Sequence, residues 1–135
     1  MPYVLDASIA ACWCYHDEED ERADAALELL QTDRALAPHH WWFEVGNMLI
    51  VGERRRRIDE QPTAEFAEQL ARSPIDFAPF PDRAAVLLVA RVHSLTFYDA
   101  AYLELAKRES IPLATLDKDL ADAARAEGVT LVGMR

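Results

Sequence analysis

Apolar and polar positions alternate along this chain in two periods, and the switches between them mark its elements. Tyr3-Val4-Leu5 is a short run of β-formers ending on Asp6, and Ala7 to Tyr15 is a small helix-forming stretch. Five acids, Asp17 to Glu21, precede apolar residues at helical spacing from Ala23 to Leu30. Acids in a first turn complement the positive end of a helix dipole and lie on a solvated face. Ala35-Leu36-Ala37 reads as a second strand, stopped by Pro38. From His39 to Arg54 a long helix is apolar over most of its circumference, which predicts burial on more than one side. Gly46 and Gly52 interrupt it at about 1 kcal/mol each, and close packing is the expected reason.

Pro62-Thr63 opens a further helix to Arg72, closed by Ser73-Pro74, and Ile75-Asp76-Phe77 reads as a third strand. Pro79 and Pro81 lead to a helix from Asp82 to His93. Phe97-Tyr98-Asp99 enters a helix carrying Ala100, Ala101, Leu103, Leu105 and Ala106. Pro112 to Leu116 is a buried strand ending on Asp117. Leu120 to Glu127 is a helix closed by Gly128, and Val129 to Val132 is a final strand. Strands alternating with helices throughout predict one α/β domain over residues 1–135, a three-layer α/β/α sandwich with a central parallel sheet.

Composition narrows the class. With 135 residues and 51% hydrophobic content, the chain can bury a sizeable core, and disorder is excluded as its main state. No apolar run approaches the roughly 20 residues that span a bilayer. The N-terminus lacks the basic region and apolar stretch of a secretory signal, so a soluble protein with no membrane partner is expected. Cys12 and Cys14 flank Trp13, too close for an unstrained disulfide and without the further ligands a zinc site needs. Free, buried or half-buried thiols in a reducing, cytoplasmic compartment are expected. The formal charge of −10 argues against holding nucleic acid by bulk electrostatics. Action on nucleic acid needs a local basic patch, a metal, or both.

The acids are therefore the candidate chemistry. Ligands of an open parallel sheet bind beyond the carboxyl ends of its strands, where Asp6 and Asp117 lie. Asp99 begins a helix that can face the same edge, and Glu44 is the sole acid between Trp41 and Val51. Each has a structural alternative. Asp6, Asp99 and Asp117 suit helix caps worth about 1 kcal/mol, and Glu44 can reach solvent from a helix edge. Were the four to converge, they would repel unless protonated or bridged by a divalent cation. Hard oxygen donors suit Mg²⁺ or Mn²⁺ rather than zinc.

Val4-Leu5-Asp6-Ala7-Ser8, Glu44-Val45-Gly46-Asn47, Tyr98-Asp99-Ala100-Ala101-Tyr102 and Ala114-Thr115-Leu116-Asp117 resemble, in order, the motifs of PIN-domain ribonucleases. The likeness is greatest to the VapC-type toxins of bacterial toxin–antitoxin pairs, and it runs from Tyr3 to about Leu131. Leu95 to Leu120 is its most specific part. The resemblance implies a PIN-like fold and an acidic metal pocket of Asp6, Glu44, Asp99 and Asp117, with Asp6 and Asp99 as the surest ligands. Ser8, Asn47 and Thr115 fall where relatives place polar side chains that orient the carboxylates. Asp119, two residues past Asp117, is either a further acid of the site or a first-turn helix acid. The implied activity is Mg²⁺-dependent hydrolysis of RNA leaving 5′-phosphate and 3′-hydroxyl ends, with Mn²⁺ as the alternative cation. The implied partners are an RNA substrate, a cognate antitoxin in a toxin–antitoxin hetero-oligomer, and a second copy in a homodimer.

Arg54, Arg55, Arg56 and Arg57 form the one dense basic run, with Arg72, Arg83 and Arg91 as additions. They either bind RNA or complement the negative end of a helix dipole. His39 and His40 read as ordinary polar residues at a helix start, with ligation as the alternative, and Tyr98 and Tyr102 as packing residues, with stacking as the alternative. Two rival readings stand beside the ribonuclease. An aspartyl-phosphate phosphatase or receiver domain shares the strand-end Asp6, but Ser8 stands where such a site commonly has a second acid. A non-catalytic interaction module shares the fold, but the full set of four acids argues against it.

Overall fold

The computed structural model describes residues 1–15 and 17–134. Four strands, β1 (Tyr3–Leu5), β2 (Ala35–Ala37), β3 (Ile75–Phe77) and β4 (Leu113–Ala114), form one parallel sheet in the order β3-β2-β1-β4. Between and after them run α1 (Ala7–Cys14), α2 (Glu21–Leu29), α3 (Trp41–Arg54), α4 (Glu60–Ala71), α5 (Arg83–His93), α6 (Phe97–Glu109) and α7 (Lys118–Ala126). Helix α1 packs on α2 and α3, while α6 packs on α5 and α7 and lies against β1 and β4. The result is the three-layer α/β/α arrangement that the alternation of periods predicts. Among the described residues no single helix is long and apolar enough to cross a membrane.

β1 lies inside the sheet, and Tyr3, Val4 and Leu5 are all buried, as a strand covered on both faces requires. The Tyr3 hydroxyl is buried with it and donates to the Ala26 carbonyl at 2.7 Å, tying the strand to α2. Leu5 pairs with Ala114, and the Asp6 amide donates to the Ala114 carbonyl at 3.0 Å. Asp6 and Thr115 therefore leave the sheet side by side.

Several local expectations change. The final strand shrinks to one bridge between Leu113 and Leu131, because β4 is only two residues long and the chain turns at Gly133, φ +75°. The acid block does not fill a first turn. Asp20 is the cap of α2, accepting from the Arg22 amide at 2.8 Å, and Arg57 pairs with Asp17 and Glu18. Helix α4 begins at Glu60, so Pro62 occupies its first turn, where a missing N–H breaks no helical bond.

Helix α3 buries a single stripe, Trp41, Val45, Leu49 and Gly52, and leaves Phe43 81% exposed. Burial on several sides is not met within one chain. Its two glycines differ as well. A Cβ at Gly52 would collide with the Tyr15 hydroxyl, which donates to the Met48 carbonyl at 3.0 Å, whereas a Cβ at Gly46 meets open space. Gly52→Ala should cost about 1–3 kcal/mol by displacing the Tyr15 ring. Gly46→Ala should add about 0.5–1 kcal/mol through helix propensity. Urea unfolding of both variants checks the pair, and equal effects would show that Tyr15 yields freely.

Candidate active site

The sheet's carboxyl edge gathers acids from four directions. β1 delivers Asp6, the chain leaving β4 delivers Asp117, and the first turns of α3 and α6 deliver Glu44 and Asp99. The charges feel one another. Glu44 and Asp99 both act on Asp6, and Asp117 and Glu44 both act on Asp99. They are neighbours rather than a closed cage, for among the described residues no three His, Cys, Asp or Glu side chains converge on one ion position.

Asp6 sits at the N-cap position of α1, yet its side chain makes no capping hydrogen bond, so the capping alternative fails there. Only 4% of it is exposed. Ser8 Oγ donates to Asp6 Oδ2 at 2.8 Å and Thr115 Oγ1 donates to the same oxygen at 2.6 Å. Each hydroxyl in turn accepts a backbone N–H from the chain after β4, Leu116 onto Ser8 and Asp117 onto Thr115, both at 3.0 Å. Loss of water pushes the Asp6 carboxyl up to about 6, with Glu44 and Asp99 adding to the rise and the two hydroxyls opposing it.

The other three differ in environment. Asp117 is a working cap, its Oδ2 accepting from the Leu120 amide at 2.8 Å. Asp99 is not the cap of α6, because Thr96 takes that role and accepts from the Asp99 amide at 3.1 Å. Burial raises the Asp99 carboxyl, and Asp117 and Glu44 raise it further. Burial also pushes Glu44 upward, but His40 and Tyr102 outweigh it and hold this carboxyl below its ordinary value. Tyr102 donates to Glu44 Oε1 at 2.6 Å. His40 Nε2 stands 3.1 Å from the same oxygen.

Some expected members stay outside. Asn47 is exposed and hydrogen-bonds none of the four acids. Asp119 is exposed on α7 beside His93, Ser94 and Asp122, in a separate depression. Arg54 lies ten residues past Glu44, about 15 Å along the helix axis. Arg57 stacks 4.0 Å over Tyr15 and pairs with Asp17 and Glu18, so it serves the fold. Two members were read differently: His40, expected to be an ordinary helix-start residue, and Tyr102, expected to pack or stack rather than to donate to Glu44. The signal available was spacing, since His40 and Glu44, like Tyr98 and Tyr102, are four apart on one helix face.

The PIN domain family profile matches residues 3–126. This chain belongs to the PIN domain family. Over 127 residues the PIN domain is 32% identical to Ribonuclease VapC3 of Pyrobaculum aerophilum, covering 90% of this chain and 94% of that protein. The crystal structure of PAE2754, also from Pyrobaculum aerophilum, matches with a TM-score of 0.70 at 25% identity, over 91% of this chain and 79% of that one. VapC20 of Mycobacterium tuberculosis, a sarcin-ricin loop cleaving toxin, matches with a TM-score of 0.61 over 98% of each chain. At 15% identity that second likeness is one of fold alone.

The donor set of this PIN domain fits a hard divalent cation. Carboxylates surround a dehydrated Asp6, and among the described residues no lysine or arginine pairs with any of the four. The arrangement has a measurable cost. Unfolded, Asp6 releases its proton near its ordinary value of 3.8, but folded it holds the proton to about 6. The native state thus binds more protons between those values, and metal-free stability should fall as pH rises from about 4 to 6. Asp6→Asn should remove that slope, exceeding the natural protein by on the order of 2–3 kcal/mol at pH 7 in EDTA and by nothing below pH 4. Urea titrations across pH test this, and an Asn variant no more stable at pH 7 would defeat it.

Proposed function

We propose that this PIN domain is the toxin of a type II toxin–antitoxin pair, an endoribonuclease that hydrolyses RNA with Mg²⁺ or Mn²⁺ at Asp6, Glu44, Asp99 and Asp117. One observation carries the reading: Asp6 is buried, oriented by two hydroxyls, and neighboured by the like charges of Glu44 and Asp99, with no basic partner among the described residues. The relationship to Ribonuclease VapC3 supports the reaction class.

A divalent cation supplies this centre with a lowered pKa for water and with positive charge against the phosphoryl oxygens. Asp6 and Asp99 are the residues to hold it. Ser8 and Thr115 both donate to Asp6 Oδ2 and neither engages Oδ1. Glu44, held ionised by Tyr102 and His40, is suited to take the proton of the attacking water, with Asp117 as the alternative base. Water forms the new bond to phosphorus, the P–O3′ bond breaks, and the departing 3′ oxygen takes a proton from solvent to become the hydroxyl. The products carry 5′-phosphate and 3′-hydroxyl ends.

Arg54, Arg55 and Arg56 are exposed and free of ion pairs among the described residues, which suits them to phosphates at the far end of α3. An anionic centre also suits a basic side chain of an antitoxin. Exposed Ile50 on α3 and Leu88 and Val92 on α5 favour a homodimer. Cys12 and Cys14, buried and unpaired, suit a reducing cytoplasm.

Purified, antitoxin-free protein should cut total cellular RNA in Mg²⁺ or Mn²⁺ and stop in EDTA. Asp6→Asn and Asp99→Asn should lower the rate more than about a hundred-fold, and Thr115→Val, which removes one orienting hydroxyl, about 10–100-fold. A 2′,3′-cyclic phosphate product would rule out attack by water. No cleavage by folded protein in either metal would return the non-catalytic module to first place.

A further inference from the structure

Next to the acid centre is a pocket of about 300 Å³ whose walls are almost entirely apolar. Its sides come from the start of α3, the Pro79-Phe80-Pro81 connection and one face of α6 from Phe97 to Arg108. Phe43, Phe80 and Tyr98 line it while remaining 81%, 70% and 60% exposed. Rings left this open add nothing to the core, and exposed aromatics gathered around one hollow mark a binding surface.

The pocket and the acid centre share a wall. His40 lines the pocket, and its Nε2 stands 3.1 Å from Glu44 Oε1. Tyr98 lines the pocket as the residue before Asp99, and its ring lies 5.4 Å from that of His40. Whatever fills the pocket is therefore adjacent to the group on which the acids act.

We propose that this pocket is a nucleobase site, taking one unpaired base of single-stranded RNA beside the phosphate at the acid centre. The proposal rests on the ribonuclease reading and names how its substrate is gripped. Charge favours such a device. The chain carries −10, its arginine run begins about 15 Å along α3 from Glu44, Arg57 is already engaged, and Arg108 at the far end of the pocket is paired with Glu104 at 3.0 Å. Phosphate contacts at the centre itself meet carboxylates. A base offers an uncharged face, and stacking on aromatic rings is worth about five- to a hundred-fold in affinity per base for any sequence. Size favours a base over a protein partner. A docked helix is about 10–12 Å across, whereas this volume lies at the lower limit of small-ligand pockets, about 300 Å³. Selection of an unstacked base also confines cutting to loops and single strands, since a duplex keeps its bases stacked.

The test uses full-length protein and 5′-fluorescein-labelled 12-nucleotide RNAs, oligo(A) and oligo(U), read by anisotropy in Ca²⁺ and again in EDTA. A third probe of the same length has abasic riboses throughout. Phe43→Leu with Phe80→Leu keeps apolar bulk but removes the rings, and Phe43→Tyr with Phe80→Tyr restores them. All four changes fall on exposed side chains, and unfolding curves should match the natural protein. The natural protein should bind oligo(A) more tightly than oligo(U), and the abasic probe at least ten-fold more weakly than oligo(A). The leucine pair should lose about ten-fold or more on oligo(A) and nothing on the abasic probe, and the tyrosine pair should recover the loss. RNA binding that is equal across variants overturns the pocket and leaves the nuclease reading intact. No RNA binding by the natural protein overturns both. A leucine pair that changes sedimentation while RNA binding is unchanged reassigns the face to contact between copies of the chain.

Discussion

Burial has stripped Asp6 of water, and the surrounding protein answers with two hydroxyls in place of a cation. Their proton directions are set. Ser8 and Thr115 each accept a backbone N–H from the chain beyond β4, so each hydroxyl proton points toward Asp6 Oδ2. That orientation depends on the parallel pairing of Leu5 with Ala114, which brings residues 6 and 115 out of the sheet together. A slip of one residue would turn one of them into the opposite face. The neighbouring Glu44 and Asp99 then make the site electrostatically uneasy, as centres poised to bind charge commonly are.

Two helices bring the remaining parts to this edge, and their first turns interlock. Tyr102 of α6 donates across to Glu44 of α3, and the His40 ring fits between Tyr98 and Tyr102 at 5.4 and 5.1 Å. The contact serves both sides of the shared wall. It holds one carboxylate ionised on the acid side and shapes the aromatic hollow on the other. The acid centre and the aromatic hollow are thus two sides of a single helix–helix junction.

Much of this was readable in the residues. Strand-end aspartates sit where a parallel sheet sends its ligands, and Asp6 and Asp117 need only that rule to share an edge. Ser8 and Thr115 could be placed by motif, and the structure shows them on one oxygen of Asp6. Other features depend on quantities that a one-dimensional pattern does not carry. Whether Asn47 faces the acids depends on the phase of α3. Whether Arg57 is free depends on Asp17 and Glu18, about 40 residues earlier in the chain. The apolar girth of α3 described a surface correctly but not what covers it, since Phe43 is open to solvent. The shortened last strand followed from the two-residue length of β4, which no periodicity can resolve.

The relay from Leu116 and Asp117 through the two hydroxyls to Asp6 also makes the loop after β4 and the charge at the centre thermodynamically reciprocal. Moving that loop withdraws the acceptor duty that aims both protons, and Asp6 loses two donors in one event rather than in sequence. By linkage, whatever neutralises Asp6 must act back on the loop with an equal free energy. The order of the half-buried segment after β4 thereby becomes a gauge of the charge on Asp6.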